Sequence, residues 1–74
     1  MQVIVDWTED TPETFIASVE HHEVDYTICV ERNAANRWIY TINSEALDMP
    51  FCSTGSFTHR ELAQRASFRR VRRG

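Results

Sequence analysis

Residues 24–31 read VDYTICVE, and their side chains alternate between apolar and polar over eight positions. The apolar set is Val24, Tyr26, Ile28 and Val30. Alternation with period 2 is typical of a strand with one buried face, because successive side chains of a strand point to opposite sides. The segment is therefore predicted to be a strand of a sheet that is covered on one side.

A second alternating segment, WIYTIN at residues 38–43, follows after a short polar stretch. The connection, residues 32–36, contains two asparagines, which tolerate the left-handed backbone conformation of tight turns. We predict an antiparallel hairpin at the centre of the fold. Tyr26 and Tyr40, one on each arm, are expected to pack in the core.

The segment before the hairpin is predicted to form a helix over residues 12–22. Thr11 can accept a hydrogen bond from a first-turn N–H, and Pro12 suits the first helical position, where no N–H is needed. The apolar side of this helix would consist of Phe15, Ile16 and Val19. The alternative is a strand, whose buried face would consist of Phe15, Ala17, Val19 and His21.

Two shorter strands are also expected. The β-branched run that opens the chain predicts a strand of about five residues at positions 3–7. Residues 49–52 read MPFC and predict a short edge strand, because proline is tolerated only at sheet edges or strand starts.

The C-terminal segment carries a helix-start signal at Thr58. Glu61 follows at the spacing of a capping box, and Phe57 and Leu62 occupy the two positions of a hydrophobic staple. The predicted core side of this helix consists of Leu62, Ala63, Ala66 and Val71. Most of these residues are small, which lets a helix lie close to a sheet.

These elements together predict one small α+β domain over residues 1–74, with an antiparallel sheet, a central hairpin and a C-terminal arginine-rich helix packed on it. The expected order is strand, helix, strand, strand, edge strand, helix. A chain of 74 residues buries only about 60% of its unfolded surface, so the core is thin. This size leaves little room for a deep substrate pocket and favours a binding module over an enzyme.

Composition and motifs exclude several classes of function. No apolar run approaches the ~20 residues of a membrane span, and residues 1–6 do not resemble a signal peptide. A cytoplasmic location, no membrane contact and free thiols at Cys29 and Cys52 are therefore expected. The histidines and cysteines lack the spacing of metal-ligand pairs, and the two glycines form no phosphate loop. No catalytic residue, metal or cofactor is predicted.

Charge is divided between the two ends of the chain. Residues 1–57 hold ten carboxylates and two arginines, a net of −8, whereas residues 58–74 hold six arginines and one carboxylate, a net of +5. The sum is the formal charge of −3, and there is no lysine. The acidic residues predicted to bind a partner are Asp6, Glu9, Asp10, Glu13, Glu20, Glu23 and Asp25.

The basic residues lie mainly on the C-terminal helix. Arg65, Arg69 and Arg72 are spaced four and three residues apart, which places them on one face, and Arg73 follows. Phe68 lies beside this stripe and is predicted to be an exposed aromatic that can stack on a base or an apolar patch. Two alternatives stay open: cations suit a helix C-terminus, and the helix could pair with the acidic part of the same chain.

Three functions fit these features. The first is a non-enzymatic protein that inhibits or regulates a nucleic-acid-handling complex, as an anti-CRISPR-like phage inhibitor does, by placing its carboxylates in a partner's basic groove. The second is a module that binds DNA or RNA directly through the C-terminal helix. The third is a homo-oligomer or a subunit of a larger complex, favoured by the thin core.

Overall fold

The computed structural model describes residues 7–73, and Arg73 is described by its backbone alone. Positions 3–6 of the strand predicted at 3–7 lie outside the described residues, and Trp7 belongs to no strand. The described elements are β1 (Thr8–Thr11), β2 (Thr14–His21), β3 (Val24–Arg32), β4 (Trp38–Ser44), β5 (Phe51–Cys52) and α1 (Arg60–Arg73).

The five strands form one antiparallel sheet in which each strand pairs with its neighbours in sequence. Helix α1 lies across one face of this sheet, mainly against β3 and β4. The predicted α+β class, antiparallel sheet and packed C-terminal helix are therefore confirmed.

The central hairpin is also confirmed, and it pairs β3 with β4 from Tyr26 to Arg32. In its connection the Asn33 side-chain oxygen accepts hydrogen bonds from the N–H groups of Ala35 and Arg37, at 2.9 and 3.1 Å. Asn36 adopts the left-handed region, with φ 63°. Asparagine thus supplies the turn chemistry that the sequence indicated. The predicted edge strand is confirmed as β5, which pairs with β4.

The prediction of a helix over residues 12–22 is wrong. Pro12 and Glu13 form the turn between β1 and β2, and the residues that follow belong to β2. The N–H of Glu13 donates to the Thr11 hydroxyl oxygen at 3.2 Å. A threonine acceptor followed by proline serves a tight turn as well as a helix start, since both need φ near −65° and one satisfied N–H. The alternative strand is the correct interpretation, with Phe15, Ala17 and Val19 all buried.

The hydrophobic core lies between the sheet and the helix. Ile28 and Val30 of β3 are fully buried, and Tyr40 and Ile42 of β4 lie beside them. Both tryptophans and Tyr26 pack half-buried against this cluster. The core faces one side of the sheet only, which fixes the register of every strand, because a shift by one residue would exchange the two faces.

Helix α1 begins at Arg60, one residue later than a helix capped by Thr58 would begin. Phe57 still belongs to the sheet, where it exchanges two hydrogen bonds of 2.8 Å with Trp38. The chain must leave the sheet before it can coil, so the His59 carbonyl accepts the bond of the first turn, from Ala63. The expected Thr58 cap is not formed among the described hydrogen bonds.

The core side of α1 consists of Ala63, Ser67 and Val71, spaced four residues apart. The prediction that Leu62 lies in the core is wrong, because this side chain is 43% exposed. Ser67 is fully buried, and its hydroxyl donates to the Gln64 carbonyl at 2.7 Å, which satisfies the polar group without a partner on the sheet. Small side chains at 63 and 67 let the helix approach the sheet closely.

Candidate functional site

The two-layer arrangement leaves one face of the sheet without a covering helix. We call it the open face. Its centre is a row of side chains that crosses the sheet, because Ile16, Cys29, Thr41 and Cys52 follow one another in the pairing of β2 to β5. The neighbouring positions of this face on β2, β3 and β4 are Thr14, Ser18, Glu20, Asp25, Thr27, Glu31, Ile39 and Asn43.

Three carboxylates lie on the open face, those of Glu20, Asp25 and Glu31. Glu20 and Asp25 are directly opposite each other on β2 and β3, a geometry in which Cβ atoms are about 5 Å apart. Glu31 is six residues along β3 from Asp25, a distance of about 20 Å. The carboxylates therefore occupy both ends of the face.

The middle of the open face is less polar. Ile16, Cys29, Ile39 and Thr41 are half-buried there, although no helix covers them. Burial raises the pKa of the Cys29 thiol, and the nearby carboxylates of Glu31 and Asp10 raise it further. Both causes disfavour the thiolate, so Cys29 is held as a neutral thiol rather than activated as a nucleophile.

The two cysteines are free, although they share one row of the open face. Strand β4 lies between Cys29 and Cys52, and two strand spacings amount to about 9–10 Å. A disulfide requires Cα atoms within about 7 Å of each other. The two thiols are too far apart to be bridged without movement of the sheet.

The structure distributes the predicted acidic residues over several places. Glu20 and Asp25 share the open face, and Glu23 extends its acidic end from the turn between β2 and β3. Asp10 lies at the irregularity of β1, near enough to Cys29 for its carboxylate to raise the pKa of that thiol. Glu9 points to the helix side of the sheet, because it pairs with Phe15. Glu13 forms an ion pair with Arg32. Asp6 lies outside the described residues.

Glu31 belongs to the open face but was missed as a site residue. The signal was present in the sequence, because Glu31 is the last polar position of the alternating segment 24–31. Asp25 is the first polar position of the same segment. The alternation therefore places both carboxylates on one face of β3.

The predicted basic residues Arg65, Arg69 and Arg72 are exposed on α1. The side chain of Arg73 lies outside the described part of the chain. Phe68, predicted to be exposed, is instead half-buried against the core, and the Arg72 guanidinium lies 5.9 Å from its ring centre. Phe68 is thus a packing residue.

Among residues 7–72, helix α1 forms no ion pair with the acidic part of the chain. Within residues 7–72 the ion pairs are Arg32 with Glu13 and, at 4.0 Å, Arg60 with Glu61. The exposed arginines of α1 and the carboxylates of the open face point away from each other, on opposite sides of a two-layer domain. The described structure therefore presents two oppositely charged surfaces.

Two further arginines of α1 lie on aromatic rings, a contact that the sequence did not predict. The Arg60 guanidinium is 4.4 Å from the centre of the Phe15 ring, and that of Arg70 is 4.4 Å from the centre of the Phe51 ring. Such contacts contribute about 0.5–1 kcal/mol each at exposed sites. They tie the first turn of the helix to β2 and its last turns to β5.

No three side chains of His, Cys, Asp or Glu within the described residues come together as metal ligands would. In the same part of the chain, the helix lacks the length and apolar character needed to cross a bilayer. No family model matches the chain, and no curated protein or solved structure matches it significantly.

Proposed function

We propose that this protein is a non-enzymatic binding protein that inhibits or regulates a nucleic-acid-handling complex. Its open face would dock on a basic surface of the partner. The supporting observation is the set of three carboxylates at Glu20, Asp25 and Glu31, on a face to which no described arginine belongs.

The chemistry of this face suits a partner that normally binds phosphates. Nucleic-acid-binding grooves carry arginine and lysine, and a surface with several uncompensated carboxylates is attracted to them and steered towards them. The half-buried Ile16 and Ile39 add apolar contact at the centre, where interfaces are depleted in charge. Occupation of the groove would exclude nucleic acid, the mode of action of an anti-CRISPR-like inhibitor.

A second candidate function is direct binding of DNA or RNA by α1. The observation that favours it is the exposed stripe of Arg65, Arg69 and Arg72, none of which is paired with a carboxylate among the described residues. The net charge of −3 counts against it, since domains that bind nucleic acid are usually basic overall. Binding that weakens steeply with salt, and that is lost in the variant R65Q/R69Q/R72Q, would favour this candidate.

The test of the first proposal compares two charge-reversal variants in an affinity capture from nuclease-treated host lysate. The variant E20K/D25K alters the open face. The control E9K/E61K changes the net charge equally, at two exposed positions away from that face. A partner identified with the parent protein is then purified and titrated with each variant.

We expect the parent and E9K/E61K to bind the same basic protein and to displace nucleic acid from it. We expect E20K/D25K to lose this binding. Equal binding by E20K/D25K would overturn the proposal, and so would a partner that retains its nucleic acid when the protein is bound.

A further inference from the structure

A recess lies on the helix side of the sheet, away from the open face. It has a volume of about 160 Å³ and opens between the start of β3, the loop after β4 and the last turns of α1. Its lining consists of Tyr26, Ile42, Ala46, Leu47, Phe51, Val71 and one charged residue, Arg70. The recess is therefore an apolar space with a single cation at its wall.

The cation is held in place by an aromatic ring. The Arg70 guanidinium lies 4.4 Å from the centre of the Phe51 ring, a cation–π distance. Its N–H groups lie in the guanidinium plane and can act as hydrogen-bond donors. Within residues 7–72 no carboxylate forms an ion pair with Arg70. Arg70 is thus an exposed cation without a charge partner in this part of the chain, at the wall of an apolar recess.

The recess is lined by a large apolar side chain that the domain itself does not bury. This is Leu47, which is 37% exposed, and Met49, two residues further along the same loop, is 74% exposed. Exposed large apolar groups next to an apolar cavity are typical of a site that a ligand completes.

We propose that this recess binds a small aromatic carboxylate, with the ring among the apolar side chains and the carboxylate on Arg70. The volume fits one ring, because an apolar cavity of about 150 Å³ binds benzene. The charge fits as well, since guanidinium and carboxylate match in a bidentate pair. An aromatic amine or a neutral aromatic alcohol would forgo that pair.

The experiment is a titration of the 15N-labelled full chain, followed by the amide signals of its two-dimensional NMR spectrum. Benzoate is the probe, and benzyl alcohol and benzylamine are probes of similar size with neutral and positive charge. For a ligand of nine non-hydrogen atoms we expect a Kd of about 1–10 mM. The shifted amides should cluster at Tyr26, Ile42, Leu47, Phe51 and Arg70.

We expect benzoate to bind about fivefold more tightly than benzyl alcohol, and benzylamine to bind least. The variant R70Q should bind benzoate only as tightly as benzyl alcohol, whereas the control R65Q removes another exposed helix arginine and should bind like the parent. The variant L47E places a carboxylate at the mouth and should abolish benzoate binding. The parent-like spectra of all three variants would show that they fold.

Equal affinity for benzoate and benzyl alcohol would overturn the proposal. It would also be overturned if R70Q bound benzoate as the parent does, or if the shifted amides lay elsewhere. A third contrary result would be that no amide signal moves at a benzoate concentration 20 times the upper limit of the expected Kd.

Discussion

Glu20 on β2 and Asp25 on β3 lie directly opposite each other on the face of the sheet that the helix leaves open. Like charges in this position repel and destabilise a sheet. No described arginine of the open face offsets the repulsion, and the exposed arginines of α1 lie on the other side of the domain. The fold therefore carries a destabilising pair on the surface that we propose as the binding site.

Replacing Asp25 with lysine should stabilise the isolated protein. D25K converts a repulsive cross-strand pair into an attractive one, for which we expect a gain of about 0.5–1 kcal/mol in the free energy of unfolding. Urea denaturation at low and at 1 M salt measures it, and the gain should shrink at high salt because salt screens exposed charges. A D25K protein no more stable than the parent would contradict this account of the pair.

The turn between β2 and β3 offers a second stabilising change. His22 and Glu23 have φ values of 53° and 64°, the left-handed pair of a two-residue hairpin turn. Glycine adopts this conformation without the penalty that a Cβ brings, so E23G should raise the free energy of unfolding by about 0.5–1 kcal/mol. The control A35G, at a turn residue with ordinary φ, should lower it, and thermal unfolding compares the two. A loss of stability in E23G would contradict the assigned turn.

Close contact between helix and sheet depends on small residues. Ala63 of α1 is fully buried between the helix and the sheet. A63L must push the helix away from the sheet and should destabilise the protein by about 1–3 kcal/mol. The neighbouring change L62A, at a residue 43% exposed, should alter stability by no more than about 0.5 kcal/mol. Chemical denaturation of both variants checks the helix orientation, and the reverse ranking would place Leu62 in the core.

The raised pKa of Cys29 predicts slow alkylation. Iodoacetamide reacts with the thiolate, so the exposed Cys52 should be modified well before Cys29 in the native protein at pH 8, as peptide mass spectrometry can follow. Equal rates at the two cysteines would contradict the burial of Cys29.

The raised pKa of the Cys29 thiol also makes folding stability depend on pH. The folded state holds the Cys29 proton to a higher pH than the unfolded state does, so folding stability falls as pH rises above the ordinary thiol pKa of about 8.5. C29A should lose less stability between pH 7 and pH 10 than the parent. If C29A and the parent lost the same stability between pH 7 and pH 10, Cys29 would not be the cause of the loss.

Much of the fold could be predicted from the sequence, because the alternation of residues 24–31 and 38–43 has one interpretation. Residues 12–22 fit both a helix and a strand, and the predicted helix is the wrong interpretation. Thr11 and Pro12 satisfy a local requirement that a turn and a helix start share, and only pairing with the rest of the sheet decides between them.

The two charged surfaces were predicted only in part. The arginine stripe of α1 follows from helical spacing and is exposed as expected. The predicted acidic set includes Glu13, which pairs with Arg32, and omits Glu31, which lies on the open face. The recess beside Arg70 joins residues from β3, β4, β5 and α1, a proximity that no spacing along the chain reveals.

The central claim is that the open face binds a basic partner, and one measurement tests it most directly. It is the affinity of the identified partner, purified without nucleic acid, for the parent, E20K/D25K and E9K/E61K by isothermal titration calorimetry. The account predicts parent-like affinity for E9K/E61K and a loss of at least about tenfold for E20K/D25K, since two charge contacts become repulsive. Parent-like affinity for E20K/D25K would contradict it.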